Sequence, residues 1–141
     1  MTTRRFRGGV TAARRARQAV REELKDALPG RKLADVELIV SELATNSIRH
    51  AGCDDAEELA MEAHVEPDRV RVSMFDSGEG FDVHTPMAPD TGNGGGYGLL
   101  LLERLSDRWG VQRDGRFSVW FEVQRERLPF GDDRGPRARA A

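Results

Sequence analysis

The sequence predicts a two-layer α/β sandwich, a mixed and mostly antiparallel sheet covered by helices on one face. Three observations carry that prediction. Two segments near the N-terminus repeat their apolar residues with a helical period, and two later pairs of segments alternate apolar and polar residues as strands do. Each of those pairs is joined by a short turn signal, which makes its members antiparallel neighbours. At 141 residues the chain is about one domain, a size that buries roughly two-thirds of the unfolded surface.

From Val10 to about Leu28, the apolar positions Val10, Ala13, Ala16, Val20, Leu24, Ala27 and Leu28 predict a helix, which Pro29-Gly30 stops. A second helix is expected from about Lys32 to Ala51, with Leu33, Val36, Val40, Leu43 and Ser47 on its core face and Gly52 as its C-terminal stop. Leu59, Met61, Ala63 and Val65 then alternate with Ala60, Glu62 and His64, a strand with its apolar side inward. Pro67-Asp68 turns the chain into another strand, in which Val70, Val72 and Met74 alternate with Arg69, Arg71 and Ser73. A glycine- and proline-rich stretch leads to a helix from Gly98 to about Asp107. A hairpin closes the fold, Trp109 to Gln112 and Phe117 to Val123, turned at Asp114-Gly115. Phe117, Val119, Phe121 and Val123 supply one apolar face, whereas Trp120 points to the other side, a surface packed against a tail or used in dimerisation. No internal repeat is present. The expected organisation is a basic segment over 1–9, one domain over 10–128, and a disordered tail over 129–141, where apolar periodicity ends.

Apolar content of 38%, charged content of 33% and a formal net charge of −2 describe a soluble globular protein. No apolar run approaches a membrane span, and the arginine-rich N-terminus lacks the hydrophobic stretch of a secretory signal. A single cysteine, Cys53, cannot build a disulfide framework, so a reducing cytoplasm is the expected setting. It stands just past a helix end as a small residue without a catalytic role. Between Met1 and Arg21 there are seven arginines (Arg4, Arg5, Arg7, Arg14, Arg15, Arg17, Arg21) and no acid. Nucleic-acid binding would join such a patch to a recognition helix or to interleaved stacking aromatics, and the sequence shows neither. The patch reads as a solvated face, with docking of an acidic protein partner as the other reading.

Three segments carry chemistry. Glu42, Asn46 and His50 recur every four residues and so form one stripe on the second helix. At about 100° per residue the stripe lies some 90° from the centre of the apolar face, at the margin of the core where a groove would open. A carboxylate and an amide one turn apart suit phosphoryl transfer: the amide oxygen can ligate Mg²⁺, and the carboxylate can take a proton from an attacking hydroxyl or water. His50, near the helix C-terminus, reads as a cap or dipole partner. The second segment, Asp76-Ser77-Gly78-Glu79-Gly80, follows a strand. Its carboxylate can accept a hydrogen bond from the exocyclic amine of adenine, and its glycines let a ligand approach the backbone; a plain polar turn is the alternative. In the third, five glycines between Thr91 and Leu99 lead into Leu99-Leu100-Leu101-Leu102. Glycine-rich backbone before a helix N-terminus presents N–H groups to phosphates; the alternative is a flexible linker, which the abrupt stop at an apolar helix disfavours.

In this order and spacing, Glu42-xxx-Asn46, Asp76-x-Gly78-x-Gly80 and Gly96-x-Gly98-Leu99 resemble the N box and the two glycine boxes of the GHKL, or Bergerat-fold, ATPases. The resemblance runs from about Val10 to Val123 and implies the histidine-kinase-like ATPase fold. Within that superfamily the chain is similar to the anti-sigma factor serine/threonine kinases. The resemblance implies ATP and Mg²⁺ as cofactors, Glu42 as general base, Asn46 as Mg²⁺ ligand and Asp76 as the adenine contact. Gly78 and Gly80 would shape the adenine pocket, with Gly94, Gly96, Tyr97, Gly98 and Leu99 around the phosphates. It also implies a homodimer in the cytoplasm that binds a sigma factor. With Mg-ATP such a protein phosphorylates a STAS-type anti-anti-sigma antagonist, without touching nucleic acid or membrane.

One departure stands out. Between Asp82 and Gly98 there is no Lys or Arg, where relatives often carry a basic residue in or beside the lid glycines. Arg49 and Arg104 are the cations left to face a transferring phosphate, and Arg49 points roughly 60° away from Asn46 around the helix. Two alternatives therefore accompany the kinase reading: a nucleotide-gated protein-binding module with little or no transfer, and a stand-alone histidine-kinase-type catalytic domain with a separate phosphoacceptor.

Overall fold

Local chemistry sets the elements of the computed structural model. It describes residues 1–50, 58–75, 98–114 and 116–125, apart from the side chains of 46–50, 98, 99, 113, 114 and 116. Along these residues run β1 (Thr2–Arg7), α1 (Ala12–Leu24), α2 (Gly30–His50), β2 (Glu58–Val65), β3 (Arg69–Phe75), α3 (Gly98–Leu105), β4 (Arg108–Asp114) and β5 (Arg116–Gln124). Gly9, at φ 86°, takes a left-handed conformation that only glycine adopts without strain, and it turns β1 into α1. Pro29 closes the link between the first two helices, its carbonyl accepting from the Leu33 amide at 2.9 Å to open α2.

The strands lie in the order β1-β2-β3-β5-β4. Every pairing among the described residues is antiparallel, so the sheet there is simpler than the mixed one expected. Register sorts the side chains into two faces. On one face Ala63, Val72, Phe121 and Trp109 stand in a row across four strands, and Met61, Met74, Val119 and Val111 in the next. The three helices cover this face. Ala16, Val20 and Leu24 of α1, Val36, Ile39, Val40 and Leu43 of α2, and Leu102 of α3 are buried with it in one core. Burying each of the larger of these side chains stabilises the fold by about 1.5–3 kcal/mol. Among the described residues no helix is long and apolar enough to cross a membrane.

Three differences from expectation have local causes. Residues 2–7, expected as part of a basic segment, form β1: only Phe6 turns into the core, too little apolar signal to mark a strand. α1 starts at Ala12 because the Gly8-Gly9 turn precedes it, which leaves Val10 97% exposed instead of on the core face. Val65 completes the alternation of β2 yet is 44% exposed, since β1 pairs with β2 only as far as Ala63. The tail over 129–141 lies outside the described residues.

Candidate nucleotide-binding site

α2 carries the first segment. With Val40, Leu43 and Ala44 buried against the sheet, helical geometry turns Glu42 to the margin of the core. Its side chain is half-buried there, and Oε2 is shielded from solvent. Thr45 turns its Oγ1 back to donate to the Ser41 carbonyl at 2.9 Å, which commits that hydroxyl to the helix. Asn46 lies one turn beyond Glu42 in the backbone of α2, and His50 is the last residue of the helix; the side chains of both lie outside the described residues.

β3, the central strand, is paired on both sides, with Ala60 and Ser118 flanking its last residue, Phe75. The next residue is Asp76. Asp76, Gly78 and Gly80, like Gly94, Gly96 and Tyr97, lie outside the described residues. Gly98 and Leu99 form the first turn of α3, so the glycine run enters a helix N-terminus. α3 packs against α2, and α2 touches β3. The helix bearing Glu42 and Asn46, the strand leading to Asp76 and the helix following the glycines are thus neighbours in space.

Of the two cations named for a phosphate, Arg104 is exposed and six residues into α3, about 9 Å along the axis from the end that faces the glycine run. The side chain of Arg49 is outside the described residues.

A polar cluster on the face turned away from α1, α2 and α3 is absent from the sequence-based expectations. Glu122, 5% exposed, faces Arg108 at 3.4 Å, Arg69 at 3.5 Å and Arg71 at 3.8 Å. Arg71 stacks on Trp120, 4.0 Å from the ring centroid, and Arg108 lies 5.9 Å away. Trp120 is therefore covered at least in part by its own neighbours, whereas the sequence left a tail or a second copy to cover it. Glu122, then Asp68, hold the Arg69 guanidinium more firmly protonated than usual. The expected two-residue turn at Asp114-Gly115 would have set Asp107 opposite Glu122; the observed register, with Asp114 opposite Arg116, brings Arg108 there instead. At the far margin of the sheet, Arg4 donates to Glu22 at 2.7 Å and Glu23 at 3.0 Å, tying β1 to α1. These bonds raise the Arg4 pKa, and the one from Arg4, followed by that from Gln18, lowers that of Glu22.

Helices on one face of an antiparallel sheet, with an acid at the core margin one turn before an asparagine in the chain, define a class, and residues 6–121 match the histidine kinase-like ATPase domain. The chain belongs to that family. Within it, the chain is 33% identical over 112 residues to the serine-protein kinase RsbW of Bacillus licheniformis, an alignment covering 70% of each. It is 36% identical over 99 residues to the protein of the same name from Listeria innocua, covering 62% of each. The fold is shared with the catalytic domain of the histidine kinase ThkA at a TM-score of 0.50 and 15% identity, over 89% of this chain and 99% of that one.

Proposed function

We propose that the chain is an ATP-dependent protein serine/threonine kinase that regulates a sigma factor. On this reading it binds the sigma factor and, with Mg-ATP, phosphorylates a STAS-type antagonist, working as a homodimer in the cytoplasm. The observation that carries the proposal is the half-buried Glu42 carboxylate one helical turn before Asn46, in a chain whose relatives are named serine-protein kinases.

The described residues fit the cofactor. What supports this is a carboxylate at the core margin, suited to a base, and a glycine-preceded N-terminus on a neighbouring helix, suited to phosphates. Asn46 would ligate Mg²⁺, Asp76 would contact adenine with Gly78 and Gly80 shaping the pocket, and Gly94, Gly96, Tyr97, Gly98 and Leu99 would surround the phosphates. Bound Mg-ATP supplies the phosphoryl group and the charge that offsets it. Glu42 orients the incoming serine or threonine hydroxyl and takes its proton as the oxygen attacks. Burial on the core side fixes the carboxylate where solvent competes least for that hydrogen bond.

The absence of Lys and Arg between Asp82 and Gly98 supports a second reading, a nucleotide-gated binding module with little transfer, since a missing cation costs orders of magnitude in phosphoryl-transfer rate. Incubation with γ-labelled ATP and STAS-domain proteins of the same genome separates the two. Label on a partner is the expected result, with Glu42→Ala retaining nucleotide and losing transfer, and Asn46→Ala losing Mg-dependent binding. Tight ATP binding without label on any partner favours the binding module. Equal transfer by wild type and Glu42→Ala refutes the base, and unchanged Mg-ATP affinity in Asn46→Ala refutes the metal ligand.

A further inference from the structure

We propose that the outer edge of β1 is a docking edge for an acidic, extended segment of a partner protein, which joins the sheet as an additional strand. The inference stands on β1 and α1 and does not depend on the nucleotide site.

β1 ends the strand order, and among the described residues no strand lies beyond it. In an antiparallel ladder alternate residues turn their N–H and C=O groups toward the neighbour, and the others turn them away. Half of the six residues of β1 therefore direct backbone donors and acceptors outward. Beside this edge a cavity of about 200 Å³ opens between strand and helix, lined by Arg4, Arg5, Phe6, Arg15, Gln18 and Ala19.

Charge selects the occupant. Arg4 is committed to Glu22 and Glu23 and forms a wall. The Arg5 side chain is 70% exposed and reaches Glu58 only at 3.7 Å. Arg15 donates through Nε to the uncharged Thr11 hydroxyl. Among the described residues no carboxylate pairs with Arg7, Arg14, Arg15 or Arg17. Charged edges keep strands apart, and a second copy would set arginine against arginine in any antiparallel register centred on β1. An acidic segment converts the same repulsion into attraction. Phosphates would be drawn to the arginines as well, but a nucleic acid has no peptide groups to meet the outward amides and carbonyls.

The test uses the full chain and a fluorescent short peptide of alternating Glu and Val. Controls are its Lys–Val counterpart and two versions N-methylated on one or the other alternate set of amides. The acidic peptide should bind saturably and the lysine peptide should not. One N-methylated version should lose binding while the other keeps it, the signature of strand pairing. Arg5→Glu with Arg15→Glu should weaken binding about tenfold or more at an unchanged thermal midpoint. No saturable binding of the acidic peptide overturns the proposal, as do equal affinities of the two N-methylated versions. An oligothymidylate that competes as well as the acidic peptide overturns it too and assigns the edge to nucleic acid. The N-methylated peptides decide the matter on the unmodified chain even where the charge reversals unfold it.

Discussion

Phe121 and Glu122 are consecutive residues of β5, both almost wholly buried, and the two faces of the sheet bury them by opposite means. Phe121 enters the layer beneath the helices, where Val72 and Trp109 flank it and removal of apolar surface from water does the work. Glu122 turns to the other face, where three arginines meet its carboxylate and one of them shields the neighbouring Trp120. The comparison teaches that burial on this sheet is two different states. One face depends on shape and volume, the other on charge balance, and each should fail to its own kind of substitution.

The largest effect belongs to the apolar face: Phe121→Ala should cost about 3–5 kcal/mol in chemical denaturation, through lost transfer energy and the cavity it leaves. Glu122→Ala should cost less, about 1–2 kcal/mol. Breaking a fully buried pair costs more, but these arginines are 34–46% exposed and water takes over part of their solvation. A larger loss in Glu122→Ala than in Phe121→Ala would break the comparison. Arg71→Met keeps the aliphatic stem and removes the charge above Trp120. It should cost about 0.5–1 kcal/mol and shift the tryptophan fluorescence, and an unchanged spectrum would count against the stack.

The smallest effect lies at the margin, where Arg4 belongs by register to the helix side yet is fastened by charge. The pKa of Glu22 is lowered in the folded state, so its contribution is present above the usual carboxylate range and fades as pH falls through and below it. Glu22→Gln should therefore flatten the acid limb of a stability–pH curve slightly, and high salt should erase the difference. An acid limb identical in the two proteins would remove the pair from the account.

How much was legible follows the same division. The apolar face could be read directly, because Val70, Val72 and Met74, and Phe117, Val119, Phe121 and Val123, recur at every second residue of their strands. The polar face is written in pairings between distant residues. Glu122 looks like any surface acid until the hairpin register sets Arg108 opposite it, and β3 must then be placed beside β5 before Arg69 and Arg71 arrive. β1 stayed hidden for a related reason: its arginines serve the edge of the sheet, and its one inward residue, Phe6, gives no period. At the candidate site the helical period placed Glu42 at the core margin, where the structure has it. Asp76 and the glycines from Gly78 to Gly96 lie outside the described residues, so the sequence remains their only account.

One arginine gives the two ends of the sheet different freedoms. Arg125, directly after β5, donates from Nε to the Ala27 carbonyl and from Nη1 to the Glu66 carbonyl, both at 3.1 Å, while Lys32 reaches the Gln124 carbonyl at 2.6 Å. The link between α1 and α2, the turn between β2 and β3 and the exit of β5 are thereby knotted at one end of the sheet. A residue added or removed in either connection would pull a carbonyl out of reach, so chain length there is fixed by a single side chain. Among related chains, insertions and deletions should gather where β3 and α2 run out at the opposite end, while the knot holds the scaffold constant.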